Sequence, residues 1–343
     1  MFRHLDFESI AAESKVIGEC AKCGTIFRAG SDDVLREIDQ IYLSDIYAAH
    51  DEVHAVAVEE SKVPVSSTKI LAEALAALLP TPKARVLDFG CFNGRFLVEL
   101  RELLPEAELT GYDVADRPGS NNPGAYTFLI GSWDNIVGPF DLVCFSHSIQ
   151  YVRPFNELMK KLDDWLAPTG QIFVQTPDIS KKPSALLLGD LHFHFTQAAL
   201  TTILSNFGYA TSTCADLPFE QDITVLGVKS GGLQKQNPGI PVVENAIAGI
   251  HKLDTDLREL DAPIGGILGT TIDSSFVDEQ TGREARVFVD ENPEKIGRPF
   301  RGRPVLHPKD VPASTTVIVP LGRRSSAVAK RLNERFPASY IPL

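Results

Sequence analysis

Residues 85–100 read RVLDFGCFNGRFLVEL, and this stretch decides the fold. An apolar run that suits a buried strand is followed by a glycine-bearing turn and then by a helical pattern. A dinucleotide site would place G-x-G-x-x-G at such a turn, so that backbone amides and the helix terminus meet a pyrophosphate. Here Gly90 and Gly94 are separated by Cys91, Phe92 and Asn93, which is a different spacing. Asp88 stands two residues before the first glycine, where a carboxylate would repel a pyrophosphate and attract a cation. S-adenosylmethionine carries an ammonium and a sulfonium and no phosphate. The charge pattern therefore favours the methyl donor.

Working outward, LTGYDV ends in Asp113, about twenty residues past the turn, where a carboxylate can accept both ribose hydroxyls. LIGSWD closes the next strand, and Ser132, Trp133 and Asp134 there can frame an adenine. Strands and helices alternate through FDLVCFSHSI, FNELMKKLDDWLAPTG, QIFVQTP, TQAALTTILSNFGY and ITVLGVKS. Alternation of this kind predicts an α/β fold with a mostly parallel sheet covered on both faces. A Gly-, Pro- and Gln-rich stretch, KSGGLQKQNPGIP, marks a boundary at 229–241. After it, Val243, Ile247, Ile250, Leu253, Leu257 and Leu260 share one predicted helical face, and a second alternating unit follows. That unit contains GGILGTTI, ARVFVDENP, PVLHPKDV, TTVIVPL and the helix RSSAVAKRLNERF. The expected division is a leader over 1–62, a core over 63–230 and a smaller C-terminal unit over 240–343.

Composition bounds the function. At 343 residues, 43% hydrophobic and 23% charged, the chain has material for two or three packed units. A net charge of −12 without a basic stripe argues against nucleic acid as partner. No apolar run reaches the roughly eighteen residues of a membrane span. The N-terminal residues lack a signal-peptide core, and the five cysteines form no disulfide framework, so the expected setting is the cytoplasm.

Residues 80–230 resemble a class I S-adenosylmethionine-dependent methyltransferase. VLDFGCFNGRFL is similar to the first motif of that superfamily, GYD to its second, GPFDLVCFSHSIQYV to the strand lining the active site, and LAPTGQIFVQTPD to the late strand. The resemblance implies a Rossmann-like, seven-stranded core. It implies donor contacts at Asp88, Gly90, Asp113, Ser132 and Trp133, extended to Cys91, Phe92, Gly94, Val114 and Ser146. Phe92 occupies the middle glycine of the usual D-x-G-x-G-x-G pattern. The layout of a C-x-x-C leader, this core, and FVDENPEKIGRPFRGRPVLHPKDV resembles the three-domain sugar C-methyltransferases. It implies a Rossmann-like C-terminal domain and a sugar or nucleotide-linked sugar as acceptor. GDLHFHFT stands where that family often has H-E-H, and Phe193 takes the place of the glutamate.

Methyl transfer needs an aligned acceptor and, for a hydroxyl or carbon acid, a base. His194 is the first candidate and His192 the second; His147 is a further catalytic candidate and, with Tyr151, an acceptor contact. Arg298, Arg301 and Arg303 lie where they can reach an anionic acceptor. Cys20 and Cys23 have the spacing of half a zinc site, and His50 and His54 can complete it; a zinc ribbon that has lost its metal is the alternative. The expected assembly is a monomer or homodimer. Two functions stay open: a small-molecule methyltransferase, or a non-catalytic module that keeps the donor fold for binding or assembly.

Overall fold

The computed structural model describes residues 4–5, 10–11, 16–31, 35–36, 39–40, 43, 55–56, 65–117, 119–214, 216–230, 242–260 and 262–343. Two short strands of the leader, β1 (Ile17–Glu19) and β2 (Ile26–Arg28), form an antiparallel hairpin. Then follow α1 (Ser67–Ala76), β3 (Arg85–Phe89), α2 (Arg95–Leu103), β4 (Glu108–Asp113), β5 (Thr127–Ile130) and β6 (Phe140–Ser146). The core continues with α3 (Phe155–Trp165), β7 (Leu166–Pro177), β8 (Phe193–His194), α4 (Gln197–Asn206), β9 (Tyr209–Thr213) and β10 (Asp222–Lys229).

Seven of these strands make one sheet in the order β9-β10-β7-β6-β3-β4-β5. The five strands from β7 to β5 are parallel, while β10 runs antiparallel to both β7 and β9. Strand alternation splits the core in two. Leu87, Phe89, Val143, Phe145, Ile172 and Val174 pack under α3 and α4 on one face. Val86, Leu142, Cys144 and Phe173 pack under α1 and α2 on the other. Both faces are covered, which is why these strands read as continuous apolar runs. The chain leaves β3 toward β4 on one side and returns to β6 on the other. The β3/β6 crevice is therefore the place where strand order reverses and ligands bind.

The predicted helix FNELMKKLDDWLAPTG is shorter than expected. It ends at Trp165, and the strand begins at Leu166. Pro168 cannot continue a helix, and the pairing with β6 shifts across residues 167–170.

Beyond 241 come α5 (Val242–Arg258), β11 (Gly266–Leu268), α6 (Ile272–Gln280), β12 (Val287–Val289), β13 (Pro299–Phe300), β14 (Arg303–Leu306), β15 (Thr316–Val319), α7 (Ser325–Arg335) and β16 (Ser339–Pro342). Their strands form a six-stranded sheet in the order β13-β14-β12-β11-β15-β16, parallel except at β13. On α5, Ile250 and Leu257 face inward as expected, but Ile247 is exposed and Val242 and Ala246 are buried instead.

The three parts meet in one further core. Ile26 of the leader, Ile179, Ala185 and Leu186–Leu188 of the core, and Val242, Ala246, Ile250, Ile272 and Phe276 pack together. Phe193 and His194 of β8 pair with Phe27 and Ile26, so β8 extends the leader hairpin to three strands. Among the described residues no helix is long and apolar enough to cross a membrane. The stretch 231–241, which carries the linker, lies outside them.

Candidate active site

The glycine turn crosses the mouth of the β3/β6 crevice. Gly90 and Gly94 stand at φ +78° and +73°, in the left-handed region that glycine enters without steric cost. Phe92 adopts the same region at φ +50°. A Cβ on Gly90 would lie 2.5 Å from Cβ of Ser148, and one on Gly94 would lie 1.8 Å from the Tyr126 hydroxyl. The turn needs glycine at both places for room as well as for φ.

The amides of this turn are already used. Gly90 and Cys91 donate to the Tyr112 carbonyl at 2.7 and 2.9 Å, Gly94 donates to Cys91 at 2.8 Å, and Phe92 donates to Asp113 Oδ2 at 3.0 Å. These four amides cannot also cradle a pyrophosphate. Asp88 is buried, and its Oδ1 has no hydrogen-bond partner. Burial, with the charge of Asp113 adding to it, pushes the Asp88 carboxyl up to about 8. An orphaned buried carboxyl beside two glycines fits a cationic ligand.

Asp113 is buried at the end of β4. Burial raises its carboxyl, opposed by hydrogen bonds from the amides of Ala115 and Phe92 and by the Arg117 guanidinium at 3.6 Å. Val114 and Ile130, at the ends of β4 and β5, are exposed despite their apolar side chains. Trp133 is half-buried with its ring 5.9 Å from Phe89. The Ser132 hydroxyl accepts from the Asp134 amide at 3.2 Å and caps the turn that carries Trp133. Cys91 is buried, and its amide is among those already used.

The candidate bases sit differently from expectation. His192 and His194 are buried, at 1% and 3% exposure, and β8 is occupied with strand pairing to the leader. Both were expected to face the acceptor. His192 Nε2 lies 2.8 Å from Asp39 Oδ1, and Arg153 donates to Asp39 Oδ2 at 2.9 Å. Burial lowers the His192 imidazole, with Asp39 pulling the other way. His147, expected chiefly as an acceptor contact, has an exposed ring (42%) that lies 3.2 Å from Asp222 Oδ2. Ser146 is half-buried and donates to Gln175 Oε1 at 3.2 Å. Tyr151 is half-buried against the core shared by the three parts.

Arg301 is corrected. Its guanidinium is buried, donating to Asp278 Oδ2 at 2.8 Å and to Glu279 Oε2 at 2.9 Å. Arg303 closes on the same Asp278, so neither arginine is a hand for an anionic acceptor. Arg298 remains exposed. Cys20 and Cys23 flank a tight turn, and the Cys23 thiol lies 3.1 Å from the Thr25 hydroxyl. Among the described residues no group of three or more side chains could hold a metal, and His50 and His54 lie outside them.

Residues 65–212 match the model of a methyltransferase domain. A bifunctional biotin-biosynthesis protein of Bordetella avium is 31% identical over 117 residues, 32% of this chain and 25% of that protein. A trans-aconitate 2-methyltransferase of Acidovorax sp. is 31% identical over 131 residues, covering 36% of this chain and 50% of that one. The namesake from Deinococcus radiodurans is 30% identical over 108 residues, 30% of this chain and 42% of its own. The chain thus spans half or less of the length of these curated relatives. Among solved structures, the Burkholderia thailandensis 1,6-didemethyltoxoflavin-N1-methyltransferase overlaps 60% of this chain and 96% of its own, at 16% identity and a TM-score of 0.42. No sugar C-methyltransferase stands among these relatives.

Asp222, Gln175 and Asp39 were not read as site residues from the sequence. Each reaches a histidine from a different strand or from the leader, and local spacing carries no trace of such partners.

Proposed function

We propose that the chain is an S-adenosylmethionine-dependent methyltransferase acting on a small molecule. The observation that carries this reading is the pairing of Asp88, buried and unpartnered at Oδ1, with a turn whose amides are used within the fold. Such a site favours a cation and offers little to a phosphate. In this reading Asp88 meets the positive end of the donor, Asp113 accepts the ribose hydroxyls, and Val114, Ile130 and Trp133 flank the adenine. Ser132 supports Trp133 through its cap, and Gly90 and Gly94 keep the crevice open. When bound, the donor supplies an activated methyl group, so the protein has to align the acceptor and take a proton from it where the chemistry demands.

The acceptor we favour is a sugar or nucleotide-linked sugar, on the resemblance of the C-x-x-C leader and of FVDENPEKIGRPFRGRPVLHPKDV to the three-domain sugar C-methyltransferases. In that arrangement the 240–343 unit helps choose the acceptor, with Arg298 as its remaining exposed candidate. The trans-aconitate relatives make a small polycarboxylate the alternative to test beside it. Zinc plays no part in this reading.

S-adenosylhomocysteine release, followed by mass spectrometry across nucleotide-linked sugars and polycarboxylates, tests the activity. Donor binding with no product on any acceptor would leave a binding module rather than an enzyme. Asp113→Ala removes charge-assisted bonds to ribose, each worth roughly 1.5–3 kcal/mol. Calorimetry should show donor affinity falling at least about tenfold. Unchanged affinity in a folded variant would remove Asp113 from the site.

A further inference from the structure

We propose that His147 takes the acceptor proton at Nδ1 and that Asp222, at the start of β10, is the positioning residue that sets its ring for that task. The proposal rests on the methyltransferase reading above and deepens it. Three observations carry it.

The first is place. His147 follows the last residue of β6, beside the β3/β6 crevice. Its neighbour Ser148 lies so close to Gly90 that a single added Cβ would collide with it. The base is thus one residue removed from the donor turn. Of the three candidate histidines it is the one whose ring is open, while His192 and His194 are enclosed.

The second is how it is held. The His147 backbone stands at φ +54°, a conformation uncommon for a residue with a Cβ. Two hydrogen bonds fix it: its amide donates to the Gln175 carbonyl at 2.8 Å, and its carbonyl accepts from Gln150 Nε2 at 2.8 Å. Gln150 is itself buried and held by the Thr176 hydroxyl at 3.0 Å. A strained backbone clamped on both sides aims the ring.

The third is the ring's partner. Asp222 Oδ2 lies 3.2 Å from His147 Nε2 and accepts a second bond from Gln175 Nε2 at 2.8 Å. The other end of that amide accepts from Ser146 at 3.2 Å, so its NH2 must face Asp222. Burial pushes the Asp222 carboxyl up, but His147, Gln175 and the nearby Lys182 outweigh this and leave it below the ordinary value. Lys181 also reaches the Asp222 carbonyl at 3.5 Å and pairs with Asp178. An ionised carboxylate only accepts, so Nε2 carries the ring proton and Nδ1 keeps the lone pair. The step is a proton transfer. The acceptor's X–H bond gives its proton to Nδ1 and X keeps the electron pair; when X brings that pair to the methyl carbon, the carbon–sulfur bond breaks with its pair left on sulfur, and the imidazolium later returns the proton to water.

The test needs no acceptor at first. In protein labelled with 15N at histidine, the His147 signals, assigned by their loss in His147→Gln, should report a ring protonated at Nε2. Asp222→Asn presents an amide NH2 that can donate to Nε2, and should shift the ring toward the Nδ1–H form. A wild-type ring already protonated at Nδ1, or one unchanged by Asp222→Asn, overturns the positioning role. With an acceptor found by S-adenosylhomocysteine release, Asp222→Asn and His147→Ala should lower kcat by about 10²–10⁴. Donor affinity by calorimetry with S-adenosylmethionine should hold, and imidazole should partly rescue His147→Ala alone. Full turnover in His147→Ala overturns the base. Failure to find any acceptor would strike the methyltransferase reading and leave the tautomer result standing.

Discussion

Asp88 carries its charge problem into the folding equilibrium. Its carboxyl is pushed up to about 8 in the fold, against about 3.9 for an unperturbed aspartate. Between those values the folded chain holds a proton that the unfolded chain has released. Stability contributed at this position is therefore present at low pH and falls as pH rises from about 4 to about 8. Asp88→Asn should abolish that slope. Melting curves between pH 5 and pH 8 should show wild type losing a few kcal/mol relative to the variant, on the order that linkage gives for shifts of several units. A cationic donor should reverse the preference, since the ionised carboxylate is the form it attracts. Binding isotherms at pH 7 in buffers of different ionisation enthalpy should then report up to about one proton released. A variant whose slope matches wild type would place the titrating group elsewhere. The places of Asp88, Gly90 and Asp113 at or just past strand ends were legible in the sequence because each is marked by its own neighbours. Asp222 was not, because its role exists only once β10 has folded back against β7. Arg301 was misread for the converse reason: a short run of arginines looks solvated until a buried aspartate, here Asp278, is known to face it.

The elements that carry a clean apolar period were readable, and those whose inward face is polar were not. Strands β3 and β6 announce themselves because both faces are covered. Helix α6 was not among the segments read from the sequence. Its buried residues include Ser274, Ser275 and Asp278 beside Phe276 and Val277, so no apolar stripe appears. Ser274 instead donates to the Leu268 carbonyl at 2.9 Å, a contact that periodicity cannot foretell. The last strand, β16, was likewise absent from the reading, being only four residues long. Glycine positions test how the turn works as an element. Gly94→Ala faces both a left-handed φ and the Tyr126 hydroxyl 1.8 Å away, whereas Gly131→Ala, at φ +89°, meets nothing within 4 Å. The second should cost the backbone strain alone, about 1–2 kcal/mol. The first adds overpacking of about 1–3 kcal/mol and should also weaken donor binding, because α2 starts there. Equal melting temperatures for the two variants would show that Tyr126 yields without cost.

At the scale of the whole molecule, the boundary near 240 divides the chain but not the core. A separable C-terminal unit was the expectation from the linker and the renewed alternation. The described residues instead place Ile272 and Phe276 of that unit against Leu186–Leu188 of the donor-binding part and Ile26 of the leader. Removing 240–343 should therefore leave an exposed apolar surface and a poorly soluble remainder. Phe276→Ala in the full chain should cost roughly 3–5 kcal/mol and lower one shared melting transition. Two well-separated transitions, with only one displaced, would restore the picture of independent units. The hairpin of the leader has a consequence for how the protein is made. Its outer partner is β8, and the Arg28 side chain bonds to Gly189, 161 residues farther along. During synthesis at about 5–20 residues per second, the hairpin waits roughly 10–30 s for that partner to be made. Residues 17–28 thus leave the ribosome well before the strand that completes their sheet.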